Sequence, residues 1–235
     1  MRTWCVLCPD FSEYAEMCVR STWHDRAGHT GLCRECHRSM HSLGPPFEIE
    51  WEKGSDRIGD FSWHGGWPPM LVPQRVVEDL ARHFSGFELV PVSMYQAPRR
   101  KRPKIRTKRS VPRVWLPYEG PPVVMLHVTK QVHMDSERST AVLELKCGTC
   151  PYEKWELTGY EWVSLEWDPQ QAKLESIHQE RVPGQGLFVH DADLQPDHLF
   201  KVHERGGVFC VDAVKVHMEA RGYTNIEFLE FGDAV

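Results

Sequence analysis

Apolar and acidic residues alternate over Phe47-Glu48-Ile49-Glu50-Trp51-Glu52, the period-two pattern of a strand with one wet face. A Gly/Trp/Pro-rich turn, Trp63 to Pro69, comes next. From Pro73 to Phe84 the period changes: Val76, Val77, Leu80 and Phe84 fall on one helical face, and Pro73 suits a first helical turn. Gly86 releases the chain into a short strand, Phe87 to Val92. The same order returns near the C-terminus. There Val208-Phe209-Cys210-Val211 leads into a helix with Val211, Val214 and Met218 on one face, Gly222 stops it, and Ile226 to Phe231 follows as a strand. The two stretches form a faint strand-helix-strand repeat.

Between them, Val123 to Lys130 and Thr140 to Lys146 read as a hairpin across Asp135-Ser136-Glu137, and Tyr160 to Trp167 and Leu187 to Val189 supply further strands. These elements predict an α+β fold of antiparallel-rich sheets with a few short helices, two similar strand-helix-strand modules and a zinc-ribbon-like CxxC site. Four sections are expected: a Cys/His-rich, zinc-binding section over 1–46, the first module over 47–96, a basic, Pro-spaced loop over 97–118, and a section over 119–235 with the hairpin, a second zinc knuckle and the C-terminal module.

Charge sharpens this picture. The formal net charge is −5, but Arg99 to Arg113 holds nine Lys or Arg and no acid, so the remaining 19 basic residues face 33 acidic ones, a net −14. An acidic body with one basic loop argues for charged partners. The N-terminus lacks an apolar run of signal-peptide length and no stretch approaches 18 apolar residues. A cytoplasmic protein with no membrane partner is therefore expected. In that reduced compartment paired cysteines read as metal ligands or redox groups ahead of disulfides.

Three CxxC pairs occur among the eight cysteines: Cys5/Cys8, Cys33/Cys36 and Cys147/Cys150. A CxxC turn places two sulfurs on one side of a tight knuckle, and two knuckles complete the tetrahedron that zinc prefers. Cys5/Cys8 and Cys33/Cys36 are close to zinc-ribbon spacing, which makes local closure the simplest pairing. Cys33/Cys36 and Cys147/Cys150 both follow an apolar residue that would lead a strand into a knuckle. Spacing leaves the choice open. Other chemistries fit less well. Cys147-Gly148-Thr149-Cys150-Pro151 runs into strand-like Trp155-Glu156-Leu157, where a thioredoxin-like dithiol needs a helix N-terminus. Cys33-Arg34-Glu35-Cys36-His37 matches haem c attachment, a chemistry of exported proteins. Cys18 and Cys210 read as small buried hydrophobes. The histidines near the second pair, His24, His29, His37 and His41, fit no HExxH helix, and the chain has no GxSxG elbow, Walker loop or GxGxxG after a strand.

Assembled in order, Gly31-Leu32-Cys33-Arg34-Glu35-Cys36, the strand-helix-strand at 70–92, Cys147-Gly148-Thr149-Cys150, Asp191-Ala192-Asp193-Leu194, Leu199-Phe200-Lys201-Val202 and Ile226-Glu227-Phe228-Leu229 resemble the double-CxxCG motif family of myxobacteria. Several members of that family are SitI-type immunity proteins. The likeness runs nearly end to end. It departs where His37 and Pro151 replace the glycines after each pair, where Lys201 replaces an arginine, in the additional Cys5/Cys8 pair, and in the basic loop, which looks like an insertion. The resemblance implies a cytoplasmic antidote that binds a cognate protein toxin without catalysing a reaction. It also implies one structural zinc ion on Cys33, Cys36, Cys147 and Cys150, with Cys5 and Cys8 as the alternative ligands. Aromatic anchors for such a partner would be Trp63, Trp67, Trp115, Tyr118 and Trp167, because Trp and Tyr dominate interface hot spots. The alternative function is a zinc-ribbon nucleic-acid binder using residues 99–113, although that loop lacks interleaved aromatics and the rest of the chain repels phosphate.

Overall fold

The computed structural model of the protein describes residues 1–8, 14–20, 33–36, 45–52, 55–65, 67–95, 114, 117–150, 152–162, 167–168, 173–174 and 179–235. In chain order these form β1 (Arg2–Leu7), β2 (Met17–Val19), β3 (Phe47–Trp51), β4 (Ser62–His64), β5 (Trp67–Pro73), α1 (Gln74–His83), β6 (Phe87–Met94), β7 (Val123–Val128), β8 (Gln131–Val132) and β9 (Ala141–Lys146). There follow β10 (Glu153–Leu157), β11 (Tyr160–Trp162), β12 (Trp167–Asp168), β13 (Lys173–Leu174), β14 (Gln179–Arg181), β15 (Leu187–Val189), α2 (Asp191–Leu194), β16 (Leu199–Val202), β17 (Arg205–Val211), α3 (Asp212–Arg221) and β18 (Glu227–Ala234). The basic loop 99–113 and His24, His29, His37 and His41 lie outside the described residues.

Strands dominate and the helices are short. Six strands close into a barrel in the order β2-β3-β6-β7-β5-β4, and six more form a sheet in the order β15-β18-β1-β17-β16-β8. Both bodies mix directions: β3 runs parallel to β6, and β15 parallel to β18, among antiparallel pairs. The alternation at residues 47–51 becomes β3, with Phe47, Ile49 and Trp51 buried in the barrel and Glu48 and Glu50 turned outward. β5 and β7 bury both faces. Leu71 and Met125 join the barrel core, while Met70, Val72, Leu126 and Val128 join the larger core under the helices. A strand sandwiched in this way needs few polar positions, which accounts for the apolar residues of β7 on either side of half-buried His127.

Each strand-helix-strand stretch is split by a third strand. β5 and β6 both pair antiparallel with β7, and β17 and β18 both pair antiparallel with β1. The helix in each case is the crossover between two parallel, non-adjacent strands. α1 buries Val76, Val77 and Leu80, and α3 buries Val214 and Met218, ending at Gly222 in the left-handed conformation. Gly86 stands at φ +97°, and a Cβ there would lie 2.0 Å from the Leu199 carbonyl oxygen. Only glycine lets β6 leave α1 so close to β16.

Two expectations change. The segments 123–130 and 140–146 do not form a hairpin: β7 inserts between β5 and β6, and β9 pairs antiparallel with β10 instead. A strand-like sequence carries no information about its partner; the barrel and the larger core cover the two faces of β7, whereas β9 is exposed along most of its length. The stretch 63–69 is not one long turn either. Ser62 to His64 and Trp67 to Pro73 are paired strands, and Trp63 is fully buried with its indole N–H donating to the Asn225 carbonyl at 2.8 Å.

Candidate metal centre

Cys147 directly follows β9 and its N–H donates to the Tyr152 carbonyl at 2.9 Å, which places residues 147–150 in the connection of the β9–β10 hairpin. Cys33 opens a second turn over 33–36. The two turns face each other. Cys33 Sγ lies 3.6 Å from Cys147 Sγ and Cys36 Sγ 3.6 Å from Cys150 Sγ, and all four sulfurs lie within 4.8 Å of one another. A disulfide would need about 2.05 Å. Four thiolates at about 2.3 Å from one tetrahedral ion would be spaced by about 3.8 Å, so the separations match a shared cation. Cys33 and Cys147 are buried, while Cys36 and Cys150 are partly exposed.

The residues between the cysteines tie the two turns together. Glu35 accepts a hydrogen bond from Thr149 Oγ1 at 2.5 Å and another from the Gly148 N–H at 3.4 Å, and these donors hold its carboxyl below the usual range. The Thr149 N–H donates to Cys147 Sγ at 3.5 Å. Backbone N–H groups of Cys36 and Glu35 point at the Cys33 sulfur and lower its thiol to about 6. Cys150 accepts from the Tyr152 amide, which pulls its thiol down, yet burial and the sulfurs of Cys147, Cys33 and Cys36 push it up to about 12. Crowded thiols cannot all ionise unless a cation compensates them. The donor set of four cysteine sulfurs therefore fits a soft or borderline metal ion.

The other sulfurs are placed differently. Cys5 sits on β1 in the six-stranded sheet, paired with Phe209 and Leu229, and burial pushes its thiol up to about 12. Cys8 follows that strand and its Sγ lies 3.7 Å from Asn225 Oδ1. Cys210 is fully buried on β17 with its thiol raised well above the ordinary value, as expected of a small core hydrophobe. Cys18 is only half-buried on β2, with Sγ 3.8 Å from the Val19 carbonyl.

No protein-family model matches the chain, and no curated protein matches it either.

Among the described residues no helix is long and apolar enough to cross a membrane. Of the aromatic residues singled out as anchors, Trp63 belongs to the core and Tyr118 is half-buried, stacked on Trp51 at 6.0 Å between ring centroids. The side chains of Trp67, Trp115 and Trp167 lie outside the described residues. Sequence reasoning missed Glu35 and Thr149. The positions inside a CxxC pair carry no pattern of their own, and the only signal was that an acid sits in one pair and a hydroxyl in the other.

Proposed function

We propose that the protein is a cytoplasmic immunity protein that binds and neutralises a protein toxin, with a structural zinc ion on Cys33, Cys36, Cys147 and Cys150. The observation that carries the binding role is the saturated donor set: four cysteine sulfurs within 4.8 Å of one another would fill every position of a tetrahedral ion and leave none for a substrate. Such an ion ties residues 33–36 to residues 147–150 and acts on the scaffold. Charge and the family resemblance point to the partner. Outside residues 99–113 the chain carries a net −14, and an acidic surface speeds association with a basic protein such as a toxin that acts on nucleic acid.

Co-expression with the product of the adjacent gene, followed by pull-down and a growth-rescue assay, tests the reading. A stable complex and restored growth are expected, whereas normal toxicity and no complex would remove it. Nine basic residues in 99–113 favour a second reading, a nucleic-acid binder. Affinity for random DNA would then fall steeply between 50 and 200 mM salt, by about a thousandfold or more; no affinity at low salt removes that reading.

A further inference from the structure

α1 and α3, the helices of the two strand-helix-strand modules, meet through a group of side chains that the cysteine centre does not use. Asp79 and His83 stand one turn apart on α1, so both project from the same side of the helix. His217 comes from α3. Its Nε2 lies 2.6 Å from Asp79 Oδ2, and its ring stands 4.9 Å from the His83 ring, centroid to centroid. One ligand atom from each of the three residues lies within 4.8 Å of those of the other two. Asp79 and His217 are largely shielded, with side chains 14% and 20% exposed, while His83 is open to solvent. Phe84 closes the inner side, edge-on to His217 at 5.2 Å.

We propose that Asp79, His83 and His217 form a second metal site, which takes a borderline divalent transition ion such as Ni²⁺, Co²⁺ or Zn²⁺. Two imidazoles and one carboxylate converging from two helices are a donor set suited to such ions. Among the described residues His83 makes ring contacts with Phe84 and His217 and no hydrogen bond, so recruiting it as a ligand breaks nothing. Binding replaces the contact between His217 Nε2 and Asp79 by a shared cation; any proton on Nε2 moves to Nδ1 of a neutral ring or leaves to solvent from a charged one.

The remaining neighbours set the limits of the site. The Arg221 guanidinium holds Asp79 Oδ1 at 2.7 Å, which leaves Oδ2 for the ion. Tyr223 donates its hydroxyl to that same Oδ2 at 2.6 Å and orients it, as hydrogen-bonded carboxylates are in metal sites. A guanidinium so near a cation weakens binding, so micromolar affinity is expected, far below that of the four-thiolate centre. Three protein ligands leave the solvent side of the ion to water. The site joins the two modules and stands independently of the proposed toxin-binding role.

Full-length protein loaded with one equivalent of zinc, which saturates the cysteine centre, is titrated with Ni²⁺ by calorimetry. Uptake of one further equivalent is expected, together with a rise in Tm, and His83→Ala loses both. Because His83 is exposed and outside the core, this variant keeps the fold, which its Tm without Ni²⁺ verifies. Nickel-induced broadening of the His83 and His217 ring resonances in the wild type places the ion. No uptake at 100 μM Ni²⁺ overturns the proposal, as does undiminished uptake by His83→Ala, which would assign the nickel to other histidines.

Discussion

Single side chains decide whether the cysteine centre closes. Cys33 and Cys147 are buried and 3.6 Å apart, and neither belongs to the two apolar cores, so holding a metal ion would be the main role of these sulfurs. Cys33→Ser and Cys147→Ser should each release the ion and lower Tm by about 10 °C, the scale of a lost long-range cross-link. Cys5→Ser, on β1 with a thiol held protonated, should keep full metal content, read by elemental analysis of protein purified without chelator. Equal metal loss from Cys5→Ser would reassign the ligands. Glu35 acts differently. Its carboxylate bridges the two turns through Gly148 and Thr149 without being one of the four converging sulfurs, so Glu35→Ala should retain the ion but weaken it by about 10- to 100-fold in a chelator competition.

At the scale of elements, the helices were legible and the strand partners were not. Val76, Val77 and Leu80 on α1 and Val214 and Met218 on α3 mark buried faces by spacing alone. β7 and β9 were equally clear as strands, yet their pairing depends on long-range packing, and a strand-like stretch reads the same whoever the neighbour is. The two helices were not visibly linked in the sequence, although Asp79 joins them through His217, Arg221 and Tyr223. Hydrogen bonds from Tyr223 and His217, with the charge of Arg221, bring the Asp79 carboxyl down to about 2. The ordinary value is about 3.9, so at acid pH the native state holds fewer protons here than the unfolded chain. The stabilisation is therefore complete above about pH 4 and is lost as the pH falls towards 2. Asp79→Asn should be less stable than the wild type at pH 5, and the gap should shrink by pH 2.5. Urea unfolding with chelator present, so that metal loss from the thiolates does not enter, measures it.

At the scale of the whole molecule the cysteine centre is a clasp laid over cores that are complete without it. The barrel core is built from residues between Ala15 and Met125, and the larger core gathers β1, β17, β18, α1 and α3. The sequence displayed three candidate pairs and made local closure the simplest, but Cys5 is claimed by the centre of the six-stranded sheet and the sulfurs that converge are those of Cys33, Cys36, Cys147 and Cys150. A clasp across 114 residues of chain restrains the ends of a long loop, and its loss is felt first where other contacts are fewest. The β9–β10 hairpin is such a place: Val142, Leu143 and Leu145 are exposed, and an isolated two-stranded hairpin is marginal in water. Removing the metal with chelator should therefore melt residues 141–157 and the turn at 33–36 while β17 and α3 keep their protection. Hydrogen exchange resolved by peptide distinguishes the outcomes. Faster exchange confined to the clasp and hairpin fits a local tie, whereas exchange rising together in β17, α3 and β7 would make the metal a condition for folding either core.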